Sequence, residues 1–279
     1  MLLCYHVMVS YRKDKGMRVT NWFLAVLLSA GVCSSALAVE RLAVGATFHL
    51  VYDQDADGRP TGLAVDVLRA LAARAGDTVR FQFYPWPRAQ AMVERGQADI
   101  LVGPYRSAER LKRFNFLDQA FYRDRLVFYA RSKGGATWHG DFRSLAGKRV
   151  VAVRGWHYGD SFDVARPLFD LGEVSQVDNG LRMLALGRVD LFASNQRNTD
   201  ALVKELRLDG ALTVLCPDIG RIDGYLAFPR MPKFAAARQQ YNLLFNQMVR
   251  SGELQKLGVK NRVQVPTGEP VATSNAACK

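Results

Sequence analysis

The chain is poor in cysteine, with four in 279 residues and no two in a C-x-x-C pair. Without that pair, thiolate metal sites and dithiol redox motifs are excluded. Long apolar runs are also missing. The apolar run at 22–32 (WFLAVLLSAGV) is shorter than the roughly 18–20 residues that a bilayer demands. Lys and Arg outnumber acids 38 to 26, a formal +12, yet no five basic residues fall in a row. A basic tail for nucleic acid is therefore absent, and the charge reads as a solvated basic surface with a modest pull on anionic solutes. Nucleophile motifs, phosphate-binding loops and clusters with metal-ligand spacing are missing too. Wholesale disorder is excluded by a hydrophobic fraction of 49% against 23% charged residues.

What is present begins with an address. Arg18, the apolar run and the Ala36-Leu37-Ala38 sequence have the n-region, h-region and A-x-A cleavage pattern of a secretory signal, cut after Ala38. Residues 1–16 show no repeating apolar pattern and read as an over-extended start ahead of Met17. An uncleaved anchor and a lipid-bearing Cys33 are the alternatives. Removing residues 1–38 takes away four basic residues and one acid, leaving +9. Cys4 and Cys33 go with them. Cys216 and Cys278 remain in an oxidising compartment, either as a disulfide that ties down the tail or as two free thiols.

Beyond the signal, strand and helix patterns alternate. Residues 41–46 are a short apolar strand and 55–62 carry turn chemistry. Residues 63–75 place apolar side chains at helical spacing up to Gly76. A strand at 79–84, a helix at 87–95 and a buried strand at 98–102 follow. The grammar then restarts after Arg125: strands at 126–130 and 149–153, a helix at 160–169 disturbed by Pro167, a helix at 180–186 and a strand at 189–193. A helix at 198–206, a strand at 225–228 and a long helix at 234–250 complete it. Such an order predicts an α/β fold with mostly parallel sheets flanked by helices. A helix-Gly-x-x-Asp-apolar unit occurs twice, at 94–100 and 185–191, and suggests two lobes of like build. Open α/β sheets bind ligands at the carboxyl ends of their strands, so two facing lobes predict a ligand cleft.

Several segments, in order, resemble the bacterial extracellular solute-binding proteins of family 3, the amino-acid-binding components of ABC importers. Gly62-Leu-Ala-Val-Asp66 looks like the family's G-F-D-V-D, with Ala64 in place of the first Asp. Ser107-Ala-Glu-Arg110 with Phe114-Asn-Phe116 looks like T-x-E-R…F-S. Leu145-Ala-Gly-Lys148 with Val150, Gly187-Arg-Val-Asp190 and Ser251-Gly-Glu-Leu254 resemble further family segments. The resemblance runs from about residue 41 to 257. It implies a two-lobed periplasmic-binding-protein fold with a two-strand hinge. Lobe 1 would be residues 39–123 plus 222–265, lobe 2 residues 124–221, and 266–279 a frayed tail.

The resemblance also implies site residues. Arg110 matches the residue that grips the ligand's carboxylate, and a guanidinium offers the planar fork that suits this. A surface ion pair with Glu109 or Asp118 is the alternative. Ser107 would add a hydroxyl, and Gly103 would let the backbone approach. Tyr105 stands where a small hydroxyl residue is common. Trp86, Phe48 and His49 fall at positions that pack on the ligand's side chain, with structural packing the rival reading for Phe48. The turn holding Trp156, His157 and Tyr158 would face the carboxylate from lobe 2, with bulky residues where small hydroxyl ones are usual. Asn195 falls where the family has an amine-binding Asp, which removes the ammonium's counter-ion unless Asp160, Asp163 or Asp178 substitutes; the ligand would then be an amino acid held differently or a carboxylate lacking the ammonium.

The function this implies is capture of a small carboxylate-bearing solute, such as an amino acid, in the periplasm. The monomeric receptor would deliver it to the permease subunits of an ABC importer, with no cofactor, metal or nucleic acid. A ligand-sensing receptor and an exported dehydratase-like enzyme acting on a small cyclic carboxylate are the other readings. For the enzyme, His49, His157 and Glu109 are the acid-base candidates.

Overall fold

The structure is a computed structural model that describes residues 38–266. The segment up to Leu37 on which the expected signal peptide falls, and the tail from Thr267 with Cys278, lie outside the described residues. Cys216 is disulfide-bonded.

The first part of the chain runs β1 (Glu40–Gly45), the short pair β2 (Asp53–Gln54) and β3 (Pro60–Thr61), α1 (Leu63–Ala75), β4 (Thr78–Phe83), α2 (Trp86–Glu94), β5 (Ile100–Tyr105), α3 (Ala108–Arg113) and β6 (Phe114–Phe116). The ten-residue β7 (Tyr122–Arg131) leads into β8 (Arg149–Val153), α4 (Asp160–Ala165), β9 (Asp170–Val174), α5 (Val177–Ala185), β10 (Leu191–Asn195), α6 (Gln196–Glu205) and β11 (Leu212–Val214). The equally long β12 (Gly220–Pro229) returns to α7 (Ala235–Arg250) and α8 (Glu253–Asn261).

The elements follow from local chemistry. In α1, Leu63, Val67, Leu68 and Leu71 recur at helical spacing and are buried, and Gly76 ends the helix in the left-handed conformation at φ 76°. In α2, Pro85 is the N-cap and another proline sits in the first turn, where no N–H is required. Trp86 is therefore the first residue of a helix rather than part of a loop. The helix expected over 160–169 stops at Ala165 and continues as a single 3₁₀ turn, Arg166–Leu168. Pro167 lacks the N–H that would extend the α ladder. β9 follows at once, a strand that the sequence pattern missed because only Leu171 and Val174 are its larger apolar residues.

The fold is two-lobed. On one side β4, β1 and β5 run parallel; on the other β10, β8 and β9 do. Between them lie β12 and β7, antiparallel to each other from Gly220↔Leu126 to Gly224↔Tyr122. β12 pairs with β5 and β7 with β10, so hydrogen bonding is continuous in the order β4-β1-β5-β12-β7-β10-β8-β9. Packing divides the two sides even though the ladder does not. One core takes its buried residues from 43–122 and 226–265. Two further cores take theirs from 126–212, on the two faces of the second set of strands.

Candidate functional site

The carboxyl ends of β5 and β8 face one another across a cleft, and the side chains that follow those strands fill it. After β5, Ser107 caps α3: its Oγ accepts from the Arg110 N–H at 3.2 Å. This cap fixes the short helix that carries Arg110. The Arg110 side chain is buried, at 4% exposure. Its Nη1 donates to the Tyr105 carbonyl at 3.0 Å, and its Nη2 crosses the cleft to the Gly155 carbonyl at 2.8 Å. The guanidinium carbon lies 5.5 Å from the Trp86 ring centre. Neither acid nominated as an ion-pair partner engages it: Glu109 pairs with Arg113 at 2.8 Å, and Asp118 accepts from Asn242 at 2.6 Å. Burial pushes the Arg110 pKa below its ordinary value, with only partial relief from the Glu109 charge nearby.

Aromatic rings form the walls. Phe48 meets Trp86 edge-on at 5.6 Å, and Trp86 Nε1 donates to the Gly155 carbonyl at 3.2 Å. Gly103, at φ 85°, lies under Phe48; a Cβ there would come within 3.0 Å of the ring. A side chain at that position would both strain the backbone and close the cleft. Phe48, Trp86, Gly103, Tyr105 and Arg110 from the first side, and Trp156, His157 and Asn195 from the second, enclose a cavity of about 10 Å³. That is room for a single water, so the two sides are closed onto each other.

Beneath the cavity is a buried polar network that sequence reading did not find. Tyr105 Oη donates to Asp124 Oδ2 at 2.7 Å. Asp124, 2% exposed, also receives a bidentate pair from Arg197, with Nε at 2.9 Å and Nη2 at 2.8 Å. Arg197 Nη1 donates to the His49 carbonyl, and the His49 N–H donates to Asn198 Oδ1 at 2.9 Å. Burial opposes the charge on Arg197, but the Asp124 carboxylate outweighs it and raises the guanidinium above its ordinary value. Burial, then Asp124, raises the Tyr105 phenol as well. In sequence, Asp124 sits between Arg123 and Arg125 and reads as a surface charge. The one available signal was Arg197 beside the nominated Asn195.

Three nominated residues stand outside the cavity lining. Ser107 acts as the α3 cap. His49 contributes its backbone, while its ring Nδ1 is 3.4 Å from Asp53. Tyr158 belongs to a core: its hydroxyl accepts from the Val153 N–H at 2.9 Å and its ring lies 4.9 Å from Phe162. Burial raises its pKa. Asn195 lines the cavity but is also the α6 cap, its Oδ1 accepting from the Asn198 N–H at 3.0 Å; its Nδ2 faces Tyr105 Oη at 3.4 Å.

The three candidate substitute carboxylates are spent elsewhere. The Asp160 side chain is 97% exposed, Asp163 pairs with His157 Nδ1 at 3.0 Å and Arg166 at 2.8 Å, and Asp178 lies 4.0 Å from Arg182. His157, Asp160 and Asp163 bring one ligand atom each within 4.8 Å of one another. With Asp163 bound by Arg166 and Asp160 in solvent, the trio reads as charge pairing at the start of α4 rather than as a metal site.

Residues 41–261 match the family described as bacterial extracellular solute-binding proteins, family 3. A search of curated proteins found no match. Among solved structures, a histidine kinase sensor domain with similarity to periplasmic binding proteins superposes with a TM-score of 0.70 at 20% identity, over 82% of this chain and 98% of that one. An ABC uptake transporter substrate-binding protein from Streptococcus pneumoniae with bound histidine gives 0.66 at 17% identity, over 85% and 95%. An ancestral arginine-binding protein bound to arginine gives 0.65 at 19%, over 79% and 96%. At these identities the likeness establishes the periplasmic-binding-protein type of fold.

Proposed function

We propose a function from one premise: the chain belongs to the bacterial extracellular solute-binding proteins, family 3. It is an exported receptor that captures a small carboxylate-bearing solute in its cleft and passes it to the permease subunits of an ABC importer. The address is the periplasm, reached by cleavage after Ala38. The working form is a monomer of two lobes, 39–123 plus 222–265 and 124–221, hinged at β7 and β12. The division of the cores supports those limits.

One observation carries the reading. Arg110 is a buried guanidinium whose hydrogen bonds go to two backbone carbonyls, Tyr105 and Gly155. A charge so buried is costly without an opposite charge. A ligand carboxylate supplies that charge and takes up Nη2, which the Gly155 carbonyl now occupies. It also accounts for the choice of Arg, since the fork of donors matches two oxygens.

Calorimetry on wild type, Arg110→Lys and Arg110→Ala tests this, once a thermal-shift screen of amino acids and small organic acids has supplied a binder. Arg110→Ala should cost about 2–5 kcal/mol of binding, with Arg110→Lys between it and wild type. Unchanged affinity in Arg110→Ala defeats the carboxylate reading.

The His157–Asp163 pair at the cavity edge gives an observation to a second reading, an exported enzyme acting on a small cyclic carboxylate. An imidazole oriented by a carboxylate is suited to proton transfer. Product formation from a bound ligand would establish it; a ligand recovered unchanged leaves the receptor.

A further inference from the structure

The cavity is rich in hydrogen-bond donors and short of acceptors, and this bears on which carboxylate it takes. An amino acid brings an ammonium as well as a carboxylate, and the ammonium needs acceptors or a negative charge. Among the described residues, no carboxylate lines the cavity. The nearest acid in the network, Asp124, has both oxygens occupied by Arg197, and one also takes the Tyr105 hydroxyl. That charge is already neutralised.

Backbone carbonyls around the cavity are engaged too. The Gly155 carbonyl receives both Arg110 and Trp86, and the Tyr105 carbonyl receives Arg110. The Gly103 carbonyl receives the Tyr122 hydroxyl at 2.9 Å. Asn195 is decisive, because its orientation is set by capping: a helix N-cap needs an oxygen toward the backbone N–H, so Oδ1 turns to Asn198 and the amide's donor end, Nδ2, which donates to Tyr105 Oη at 3.4 Å, is the end turned toward the cavity residues. An amide presenting N–H repels an ammonium and welcomes an anion. A further refuge for a cation is an aromatic face. Arg110 already lies over Trp86, so a second cation there would sit beside a buried positive charge.

We propose that the cleft selects carboxylates that lack an ammonium group, small monoanions with an apolar or aromatic body. This rests on the carboxylate reading of Arg110 and goes further than it, because it excludes the free amino acids. The carboxylate meets Arg110, with Asn195 Nδ2 as a supplementary donor, while Trp86 Nε1 stays on the Gly155 carbonyl. The body of the molecule packs between Phe48, Trp86 and Trp156. Opening of the cleft releases the Gly155 carbonyl from Arg110, and the ligand takes its place.

Matched pairs that differ only in the amine test this: 3-phenylpropanoate against L-phenylalanine, 4-methylpentanoate against L-leucine, and propanoate against L-alanine. Each is titrated calorimetrically into the mature wild-type protein, Arg110→Ala and Asn195→Asp. The expected result is that the des-amino member of every pair that binds is tighter, on the order of a hundredfold, as for burying an unpaired charge. Asn195→Asp keeps the cap oxygen and adds the missing charge, so it should narrow or reverse that preference.

An amino acid that binds wild type as tightly as its des-amino partner overturns the selectivity. If its binding is also lost in Arg110→Ala, the carboxylate reading stands while the exclusion of amines falls. Binding of neither member in all three pairs overturns the carboxylate reading and the selectivity with it. Should Asn195→Asp fail to fold, the wild-type ratios alone still decide.

Discussion

Two arginines on either side of the cleft show how differently a buried cation can be kept. Arg197 has its counter-ion within the protein, a bidentate Asp124. Arg110 has no hydrogen-bonded carboxylate among the described residues, and burial, the largest cause, shifts it downward. The first is a structural charge pair, and the second is the cation that the proposed function assigns to a ligand. Asp124→Asn separates these roles, since it holds the shape and an acceptor for Tyr105 but leaves Arg197 without its counter-ion. It should destabilise the protein by about 3–5 kcal/mol in urea unfolding. Replacing both partners, as Asp124→Asn with Arg197→Gln, should cost less than Asp124→Asn alone. If the single and double variants unfold together with the wild type, the pair contributes nothing to stability. Each of the eight residues lining the cavity is one that the family resemblance implies from sequence, because motif position marks it. Asp124 is not, because mid-strand acids between arginines give no such signal.

At the level of elements, the crossing of β7 and β12 depends on one close approach. A Cβ at Gly224 would lie 1.8 Å from a ring carbon of Tyr122, the residue it pairs with in the ladder. That ring is buried, with its hydroxyl tied to the Gly103 carbonyl, and cannot swing aside cheaply. Gly224→Ala should therefore splay the two strands and cost about 1–3 kcal/mol, the range for overpacking a tight core. Tyr122→Ala removes the obstacle, so in that background Gly224→Ala should cost markedly less, as a double-mutant cycle by thermal unfolding would register. Additive effects would mean that the contact does not limit the approach. The hinge strands were read from sequence as short segments at 126–130 and 225–228, whereas each is ten residues long. Charged residues such as Arg123, Asp223 and Asp218 hid their ends. They pair laterally, Arg123 with Asp223 at 2.6 Å and Arg125 with Asp218 at 3.2 Å, and so remain in the strands or beside them.

For the whole molecule, the ionisable groups set a pH window of stability. Burial raises the phenols of Tyr52, Tyr105, Tyr122, Tyr129, Tyr158 and Tyr241 above their ordinary range. A group whose pKa is higher in the folded state stabilises the fold fully below its unfolded value, about 10 for tyrosine, and loses that contribution as pH rises further. The hydrogen bonds from Arg149 to Asp190 and from Arg113 to Glu94 lower those carboxyls. Their contribution is present above the unfolded value, about 4, and is lost as pH falls below it. Urea midpoints should thus be level between about pH 5 and 9, decline gently on the acid side and fall steeply above about pH 10. A midpoint that stays level through pH 11 would show that the buried phenols do not resist ionisation.

The sequence by itself determined the order of the main strands and helices, the two-lobed α/β class and the family, while short or polar elements such as β9 escaped it. Apolar periodicity, glycine stops and short motifs are local properties, and they survive in the order in which they are written. It also pointed to Arg110, Trp86 and Asn195, since motif position locates a side chain relative to the end of its own strand. Only the tertiary structure decided what those side chains face. Arg110 and Gly155 are 45 residues apart, Arg197 and Asp124 73, and His49 and Asn198 149. Whether a charge is paired, and which end of an amide turns toward the cavity, depends on groups brought together across such separations. A linear pattern carries no term for them, because burial and partnership arise only when the two lobes close.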